Sequence, residues 1–178
     1  GTEEALNVSG LMDDATFIPS ALSGFLGGNS HGGSWVERLE TEWCKKFLCA
    51  NAVSLNSATS GLLAACKAVG LGPGDEFITT PYSMSATTAA GVFCGAKPVF
   101  VDIEPDYFCL DVTRVPEAIT RKTKAIIVTN LFGQPAQIKA LRYIADNRGI
   151  KLIEDNAQGI LATEGGKYAG TIGHIGIF

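Results

Sequence analysis

Apolar and polar residues follow two alternating patterns from residue 50 onward. Short apolar runs typical of buried strands alternate with stretches in which apolar residues recur every three or four positions, as they do on helices. The predicted strands are 52–55, 76–80, 98–102, 123–130, 150–155 and 174–178, and the predicted helices between them are about 59–69, 84–94 and 136–147. Because buried strands separated by helices are typical of βαβ crossovers, we predict an α/β fold with a mostly parallel sheet covered by helices on both faces.

The chain before residue 50 has a different organisation. A glycine-rich segment, 23–34, precedes a run in which apolar side chains recur at helical spacing. This run begins at Trp35 and ends at Leu48, and it predicts an amphipathic helix whose two tryptophans pack in the core. We therefore predict an N-terminal segment at 1–34 and one α/β domain at 35–178, which is long enough to bury a core of its own.

The composition argues against several classes of partner. Of the 178 residues, 46% are hydrophobic and 18% are charged, the net charge is -4, and no run of Lys or Arg stands out. We therefore expect neither nucleic acid nor an anionic membrane surface as a partner. No apolar stretch has the length of a membrane span, and residues 1–20 lack the basic start of a secretory signal.

The cysteines and histidines argue against a metal site. The five cysteines are scattered, and the two histidines, His31 and His174, lie far apart in sequence. An odd number of cysteines without a Cys-x-x-Cys pair also argues against a disulfide framework. We expect reduced, mostly buried thiols in a cytoplasmic protein.

Two predicted strands end in polar residues that suit a ligand. The strand at 150–155 ends in Glu154-Asp155, and the strand at 52–55 is followed by Asn-Ser-Ala-Thr-Ser-Gly at 56–61 and a helix. The carboxyl ends of parallel strands meet along one edge of the sheet, where α/β folds bind ligands. One end offers a carboxylate, and the other offers a hydroxyl-rich turn and a helix N-terminus suited to a phosphate. This pair predicts a phosphorylated heterocycle whose ring nitrogen pairs with an anion, and pyridoxal phosphate fits that description.

Seven short segments extend this interpretation along the chain. They are Gly-Ser-Trp-Val-Glu-Arg-Leu-Glu (33–40), Asn-Ser-Ala-Thr-Ser-Gly-Leu (56–62), Leu-Gly-Pro-Gly-Asp-Glu (71–76), Gly-Ala-Lys-Pro-Val-Phe-Val-Asp-Ile (95–103), Leu-Phe-Gly-Gln-Pro-Ala (131–136), Ile-Glu-Asp-Asn-Ala-Gln (153–158) and Gly-His-Ile-Gly-Ile-Phe (173–178). In this order they resemble the large domain of the DegT/StrS-type sugar aminotransferases, which are pyridoxal-phosphate enzymes of the aspartate-aminotransferase fold (fold type I). Each segment alone is unspecific, but together they cover nearly the whole chain in register.

The resemblance assigns roles to four of these residues. Thr59 and Ser60 would lie at the phosphate, Asp155 would pair with the pyridine nitrogen, and Gln158 would hydrogen-bond the phenolic oxygen or help to seat the ring. A carboxylate beside the ring favours the protonated form, which is the electron sink of this chemistry. The local sequence also allows simpler roles, namely Thr59 or Ser60 as an N-cap, Asp155 as a cap of the next element and Gln158 as an exposed amide. Glu154 points to the other side of its strand and is given no role.

One position departs from the family pattern. The family places an aromatic side chain over the pyridine ring, whereas Met84 occupies that position in this sequence. A thioether can pack on a ring face, although with less overlap than an indole. Met84 is therefore the predicted stacking residue, and Tyr82 is the alternative.

The resemblance places the catalytic lysine, which forms the aldimine with the cofactor, beyond Phe178, together with a phosphate-binding serine. Lys151 shares a strand with Asp155 but precedes it by roughly 13 Å at the rise of a strand. Lys167 lies in a glycine-rich hairpin, with no strand to position it. We therefore expect no catalytic residue in this chain, an incomplete large domain and no small C-terminal domain. The complete protein would be longer, or a separate chain would supply the rest.

The resemblance implies a PLP-dependent aminotransferase that acts on a nucleotide-linked keto sugar, with glutamate as the amino donor. It also implies a homodimer. Two alternatives stay open: a sugar dehydrase that uses PMP, and a truncated homologue that binds the cofactor or a regulatory partner without catalysis. A plain nucleotide-binding domain is disfavoured, because 56–61 contains neither a Gly-x-Gly-x-x-Gly motif nor a P-loop.

Overall fold

The computed structural model of the protein describes residues 34–178. The chain divides into two compact units, one that ends at Ser54 and one that comprises Leu55–Phe178. The glycine-rich segment predicted at 23–34 therefore lies, except for its last residue, outside the described residues.

The first unit contains helix α1, Ser34–Phe47, which confirms the predicted amphipathic helix. Phe47 is buried, and its ring centroid lies 4.5 Å from that of Trp43. Trp35 and Trp43 are half-buried, so the predicted packing of the two tryptophans in the core is only partial. The guanidinium of Arg38 lies over the Trp35 ring, 5.6 Å from its centroid, and covers part of it.

The second unit follows the predicted alternation of helices and strands. Its helices are α2 (Ala58–Ala68), α3 (Ser85–Phe93), α4 (Val115–Ala118) and α5 (Ile138–Arg148), and its strands are β1 (Glu76–Thr79), β2 (Lys97–Phe100), β3 (Thr123–Thr129), β4 (Lys151–Asp155), β5 (Thr163–Glu164), β6 (Lys167–Tyr168) and β7 (Ile175–Ile177). The short helix α4 begins with a proline in its first turn, a position where proline is favourable. Strands β5 and β6 form a separate antiparallel hairpin.

The main sheet has five strands in the order β2-β1-β3-β4-β7. All of its neighbouring pairs are parallel, which confirms the predicted α/β class. Because the pairs are parallel, all five strands end along the same edge of the sheet. This carboxyl edge is where ligands of open α/β sheets bind.

The strand predicted at 52–55 does not form. Residues 51–55 have no regular secondary structure. A strand requires hydrogen bonds to a neighbouring strand, and none of the described strands pairs with this segment. The boundary between the two units also falls within it, after Ser54.

Each face of the sheet buries its own apolar cluster. One cluster includes Phe77, Ile127 and Ile153 together with residues of α2 and α3. The other includes Ile126 and Leu152 together with residues of α5. Because side chains alternate along a strand, Asp155 lies on the α2/α3 face with Ile153, and Glu154 lies on the α5 face.

A glycine sets the distance between α3 and the sheet. A Cβ on Gly91 would overlap the ring of the buried Phe77. The absence of a side chain at this position therefore lets α3 pack directly on β1. Thr87 lies one helical turn before Gly91, so this contact also fixes the height of Thr87 above the sheet.

The described residues contain neither a membrane-spanning helix nor a metal-ligand cluster. No helix in 34–178 is long and apolar enough to cross a bilayer. Within the same range, no group of three or more His, Cys, Asp or Glu side chains is arranged to hold a metal ion. All five cysteines are free thiols. Burial, with the neighbouring Cys94 as a further cause, raises the pKa of the Cys66 thiol to about 12, so this thiol stays neutral.

Candidate functional site

Three neighbouring strands place polar and apolar side chains side by side at the carboxyl edge. Thr129 of β3 is in register with Asp155 of β4, and Asp155 is in register with Ile177 of β7. All three side chains lie on the α2/α3 face. Asp155 is 3% exposed, so a carboxylate is buried at the position where the sequence predicted the acid of the site.

Asp155 is held by hydroxyl and amide groups. The Thr87 hydroxyl donates to Asp155 Oδ2 at 2.6 Å, and the Ala157 amide donates to Oδ1 at 3.3 Å. Thr87 Oγ1 lies 3.1 Å from Ser83 Oγ, which lies 2.8 Å from Thr129 Oγ1. A chain of three hydroxyls therefore connects the carboxylate to the end of β3. None of these three residues was predicted from the sequence, because no motif distinguishes them from ordinary polar residues near a strand end.

No Lys, Arg or His among the described residues forms an ion pair with Asp155. A buried carboxylate without a cation is unfavourable, even when hydroxyls donate to it. This arrangement suits a ligand that brings its own positive charge. A protonated pyridine nitrogen has that charge and one N–H donor.

The N-terminus of α2 lies on the same face of the sheet. Ser57 is the N-cap, and its hydroxyl accepts from the Ser60 amide at 3.2 Å. The helix begins at Ala58, one residue earlier than predicted, so Thr59 and Ser60 lie in its first turn and neither is the cap. The amides of Ala58 and Thr59 have no hydrogen-bond acceptor among the described residues. They are free to bind an anion at the positive end of the helix dipole.

A second glycine brings this helix close to Asp155. A Cβ on Gly61 would lie 3.0 Å from Ile177 Cγ2, so the first turn of α2 packs directly on β7. Ile177 is the register neighbour of Asp155, and adjacent strands lie about 4.8 Å apart. The structure thus brings the predicted phosphate residues and the predicted acid to one region of the sheet edge.

Met84 and Tyr82 belong to the loop between β1 and α3. Met84 is the N-terminal flanking residue of α3, three positions before Thr87, and is 67% exposed. Tyr82 is 47% exposed, and its ring centroid lies 6.0 Å from that of Phe108. The Met84 side chain is therefore open to contact from outside the described residues, as a stacking residue requires, whereas Tyr82 already contacts a neighbouring ring.

Gln158 lies beyond the end of β4 and is exposed. Its Oε1 accepts from the Phe132 amide at 3.0 Å, which connects the loops that follow β3 and β4. Phe132 has a φ of 55°, a left-handed conformation that is uncommon for a bulky residue. The Gln158 oxygen therefore already accepts one hydrogen bond within the protein, and its NH2 group is available to donate to a ligand.

Glu154 has a role that the sequence analysis did not predict. It is fully buried, and its carboxylate accepts from the amides of Gly170 at 2.6 Å, Ile172 at 2.8 Å and Gly173. Asn130 adds a side-chain donor at 3.3 Å. These bonds fix the segment that leads into β7, so Glu154 supports the site from the opposite face. A signal was present in the sequence, since a glutamate on a strand buried on both faces needs several donors.

His174 connects the start of β7 to β4 and is the only described histidine. Its Nδ1 accepts from the Leu152 amide at 3.0 Å, and its Nε2 lies 3.3 Å from Asp146 Oδ1. Burial lowers the pKa of the ring below its ordinary value of 6.5, and the positive charges of Arg142 and Lys151 lower it further, against the opposing effect of Asp146. The neutral ring is therefore the form that the fold prefers.

This preference predicts a pH dependence of stability. Because the folded pKa of His174 is the lower one, the unfolded chain binds more protons between that value and 6.5. The stabilisation is present above 6.5 and is lost as the pH falls through the folded pKa. The His174→Asn variant keeps an acceptor, because its amide oxygen can replace Nδ1, but it cannot titrate. We expect its free energy of unfolding, measured with urea, to decrease less than that of wild type between about pH 7.5 and pH 5. Equal losses in both proteins would contradict this assignment.

A sequence profile described as the DegT/DnrJ/EryC1/StrS aminotransferase family matches residues 18–178. A pleiotropic regulatory protein of Geobacillus stearothermophilus is 40% identical over 79% of the chain and 38% of its own length. A UDP-N-acetyl-3-dehydro-alpha-D-glucosamine 3-aminotransferase of Acidithiobacillus ferrooxidans is 35% identical over 94% of the chain and 42% of its own length.

Solved structures of similar proteins match the fold. An aminotransferase from Psychrobacter cryohalolentis superposes with a TM-score of 0.79 and 30% identity, over 90% of this chain and 41% of that one. A GDP-4-keto-6-deoxy-D-mannose-3-dehydratase of E. coli, solved with bound hydrated PLP, gives a TM-score of 0.75 and 34% identity, over 79% and 38%. The chain thus spans about two fifths of the length of these proteins, and its fold is that of the fold type I aminotransferases.

Proposed function

Because the chain belongs to the DegT/DnrJ/EryC1/StrS aminotransferase family, we propose that it forms the cofactor-binding part of a PLP-dependent sugar aminotransferase. The substrate of the complete protein would be a keto sugar carried by a nucleoside diphosphate, and glutamate would be the amino donor. The observation that carries this proposal is the buried carboxylate of Asp155, which has hydroxyl and amide donors but no cation among the described residues.

Asp155 would hold the proton on the pyridine nitrogen of the cofactor. When bound, pyridoxal phosphate supplies the electron sink that transamination needs. The carboxylate favours the protonated ring because an opposite charge nearby stabilises the charged form. The surrounding protein excludes water from this contact, which strengthens the electrostatic attraction.

The phosphate would bind at the first turn of α2. The free amides of Ala58 and Thr59 and the hydroxyls of Thr59 and Ser60 supply the donors. This turn has no basic side chain, so the anion would be held by hydrogen bonds and the helix dipole. Met84 would cover one face of the ring, and the Gln158 NH2 group would donate to the phenolic oxygen.

The described lysines of the second unit lie away from Asp155. Those at the amino ends of β2, β3 and β4 are at the opposite edge of the sheet, and one is in the last turn of α2; they are Lys97, Lys122, Lys124, Lys151 and Lys67. Lys167 is in the β5–β6 hairpin, and Lys139 Nζ donates to the Gly165 carbonyl at 3.3 Å. We propose that none of them attaches the cofactor covalently, so that the residue which does so lies outside 34–178.

Borohydride reduction of the PLP-treated protein tests this proposal. We expect PLP to raise the melting temperature and to bind with a change in its absorbance spectrum. The competitor 4′-deoxypyridoxine phosphate has no aldehyde, so it blocks labelling at the cofactor site without reacting itself. We expect no described lysine to carry a pyridoxyl group whose amount decreases when this competitor is present. Protected labelling of any described lysine in peptide mass spectra would contradict the proposal that the attachment residue lies outside 34–178, and the absence of any PLP effect would contradict the site itself.

Two relatives support alternative functions. The similarity to a dehydratase favours a PMP-dependent sugar dehydrase, and the 40% identity to a pleiotropic regulatory protein favours a binding protein without catalysis. Incubating the PMP-loaded complete protein with nucleotide-linked keto sugars separates the three functions. An aminotransferase gives an amino sugar, a dehydrase gives a deoxy sugar without nitrogen, and a regulatory homologue leaves the sugar unchanged.

We propose that the protein acts as a homodimer in the cytoplasm. Exposed apolar side chains follow the carboxyl ends of four strands, and such a patch is typical of an interface; they are Tyr82, Met84, Phe108, Phe132, Ile160 and Leu161. The five free thiols agree with a reducing compartment. Sedimentation of the complete protein would show a dimer if the proposal is right and a monomer if it is wrong.

A further inference from the structure

The hydroxyls of Thr87, Ser83 and Thr129 all donate their hydrogen bonds in one direction along the chain that ends at Asp155. Thr87 donates its only hydroxyl proton to Asp155 Oδ2, so it must accept in its contact with Ser83. Ser83 therefore donates to Thr87 and accepts from Thr129. The order of donation is Thr129 to Ser83 to Thr87 to Asp155, and every proton in the chain is directed toward the carboxylate.

We propose that Thr87, with Ser83 and Thr129 behind it, is a positioning residue that fixes the Asp155 carboxylate for the ring nitrogen of the cofactor. This inference rests on the proposed function. The bond from Thr87 to Oδ2 is short, at 2.6 Å, whereas the only described donor to Oδ1 is the Ala157 amide at 3.3 Å. The chain thus engages one oxygen firmly and leaves the other as the acceptor for the ring N–H.

Hydrogen bonds in such a chain polarise one another, and a bond to a charged acceptor is stronger than a neutral one. The effect of removing a hydroxyl should therefore decrease with its distance along the chain from Asp155. Thr87 should matter most, Ser83 less and Thr129 least.

The same chain also determines the position of the loop before α3. Ser83 directly precedes Met84, and its hydroxyl bonds to Thr87 in α3 and to Thr129 in β3. Thr87 is in turn held at its height by the packing of Gly91 on Phe77. The residue proposed to cover the ring and the residue proposed to hold its nitrogen are therefore aligned by one set of bonds.

The test compares Thr87→Val, which keeps the shape and removes the hydroxyl, with Thr87→Ser, which keeps the hydroxyl. The probe is pyridoxamine 5′-phosphate labelled with 15N in the ring, and the readouts are its affinity and the 15N chemical shift at one pH. We expect T87V to bind about tenfold more weakly, as for the loss of a bond to a charged group, with a 15N shift nearer the unprotonated value. T87S should restore both, and Ser83→Ala and Thr129→Val should show progressively smaller changes.

Two controls separate positioning from folding and from the proposed function. Thr113→Val removes a hydroxyl that donates to the Asp111 carboxylate in an exposed turn and does not join the chain, so it should change neither readout. Inorganic phosphate, which has no ring, should bind all variants equally. If T87V matches wild type in affinity and 15N shift, or only loses thermal stability, the inference is wrong while the proposed function stands. If wild type itself does not bind the probe, both are wrong.

Discussion

Replacing Glu154 by alanine is expected to lower the free energy of unfolding by about 4 kcal/mol, a large part of the stability of an ordinary domain. The carboxylate is fully buried and accepts from the amides of Gly170, Ile172 and Gly173 and from the Asn130 side chain. Alanine would leave these donors without an acceptor and away from water, which costs about 1–3 kcal/mol for each neutral group. Urea unfolding monitored by circular dichroism gives the free energy directly.

The chain offers a matched control at Glu104. This side chain also accepts from three backbone amides, those of Asp106, Tyr107 and Cys109, but in a surface turn. Burial acts to raise the pKa of Glu104, but the three amide bonds together lower it below its ordinary value. Water can replace a lost acceptor at the surface, so we expect Glu104→Ala to cost much less than Glu154→Ala. Comparable losses at the two positions would show that burial of the donors is not the cause.

If Glu154→Ala proves too unstable to purify, Glu154→Gln answers the same question. Glutamine keeps the size and one acceptor oxygen but turns an NH2 group toward amide donors. We expect an intermediate loss, of about 2 kcal/mol. A glutamine variant as stable as wild type would mean that the negative charge is not required at this position.

Replacing Asp155 by asparagine is expected to have the opposite effect on stability and a large effect on binding. Without cofactor, the buried charge has no cation among the described residues, so its removal should stabilise the protein by about 1 kcal/mol. Affinity for pyridoxamine 5′-phosphate should fall about a hundredfold, because the charged hydrogen bond to the ring nitrogen is lost. Thermal unfolding and titration calorimetry measure the two effects separately.

The diagnostic result for Asp155→Asn is the combination of a higher stability with a lower affinity for pyridoxamine 5′-phosphate. Loss of both stability and affinity in Asp155→Asn would indicate that the carboxylate has a structural role, as proposed for Glu154. Unchanged affinity would contradict the assignment of Asp155 to the ring nitrogen. Inorganic phosphate serves as the control ligand, since its binding at α2 should be the same in both proteins.

Much of the fold follows from local patterns in the sequence. The helices α1, α2, α3 and α5 and the five strands of the sheet were predicted to within a few residues, because buried strands and amphipathic helices have different periodicities. The strand predicted at 52–55 was wrong for a reason that periodicity cannot reveal. An apolar alternating segment becomes a strand only with a partner, and no described strand pairs with it.

The candidate site likewise has some features that the sequence predicts and others that only the fold establishes. The sequence predicted which residues take part, since Asp155 ends an apolar strand, Thr59 and Ser60 begin a helix, and all three belong to segments with a family resemblance. The family resemblance also predicted Met84 as the residue that covers the ring. Their roles toward a cofactor are predictions that the Asp155→Asn and Thr87→Val variants test.

Only the tertiary structure decided how these groups are held. Thr87, Ser83 and Thr129 are separated by up to 46 positions, yet they form one chain of hydroxyls that ends at Asp155. Glu154 is next to Asp155 in sequence, but alternation along the strand turns its side chain to the other face of the sheet. There it binds the backbone amides of the segment before β7. Sequence patterns describe what each residue can do, but hydrogen-bond partners distant in sequence are set by the packing of helices on the sheet, which no local pattern contains.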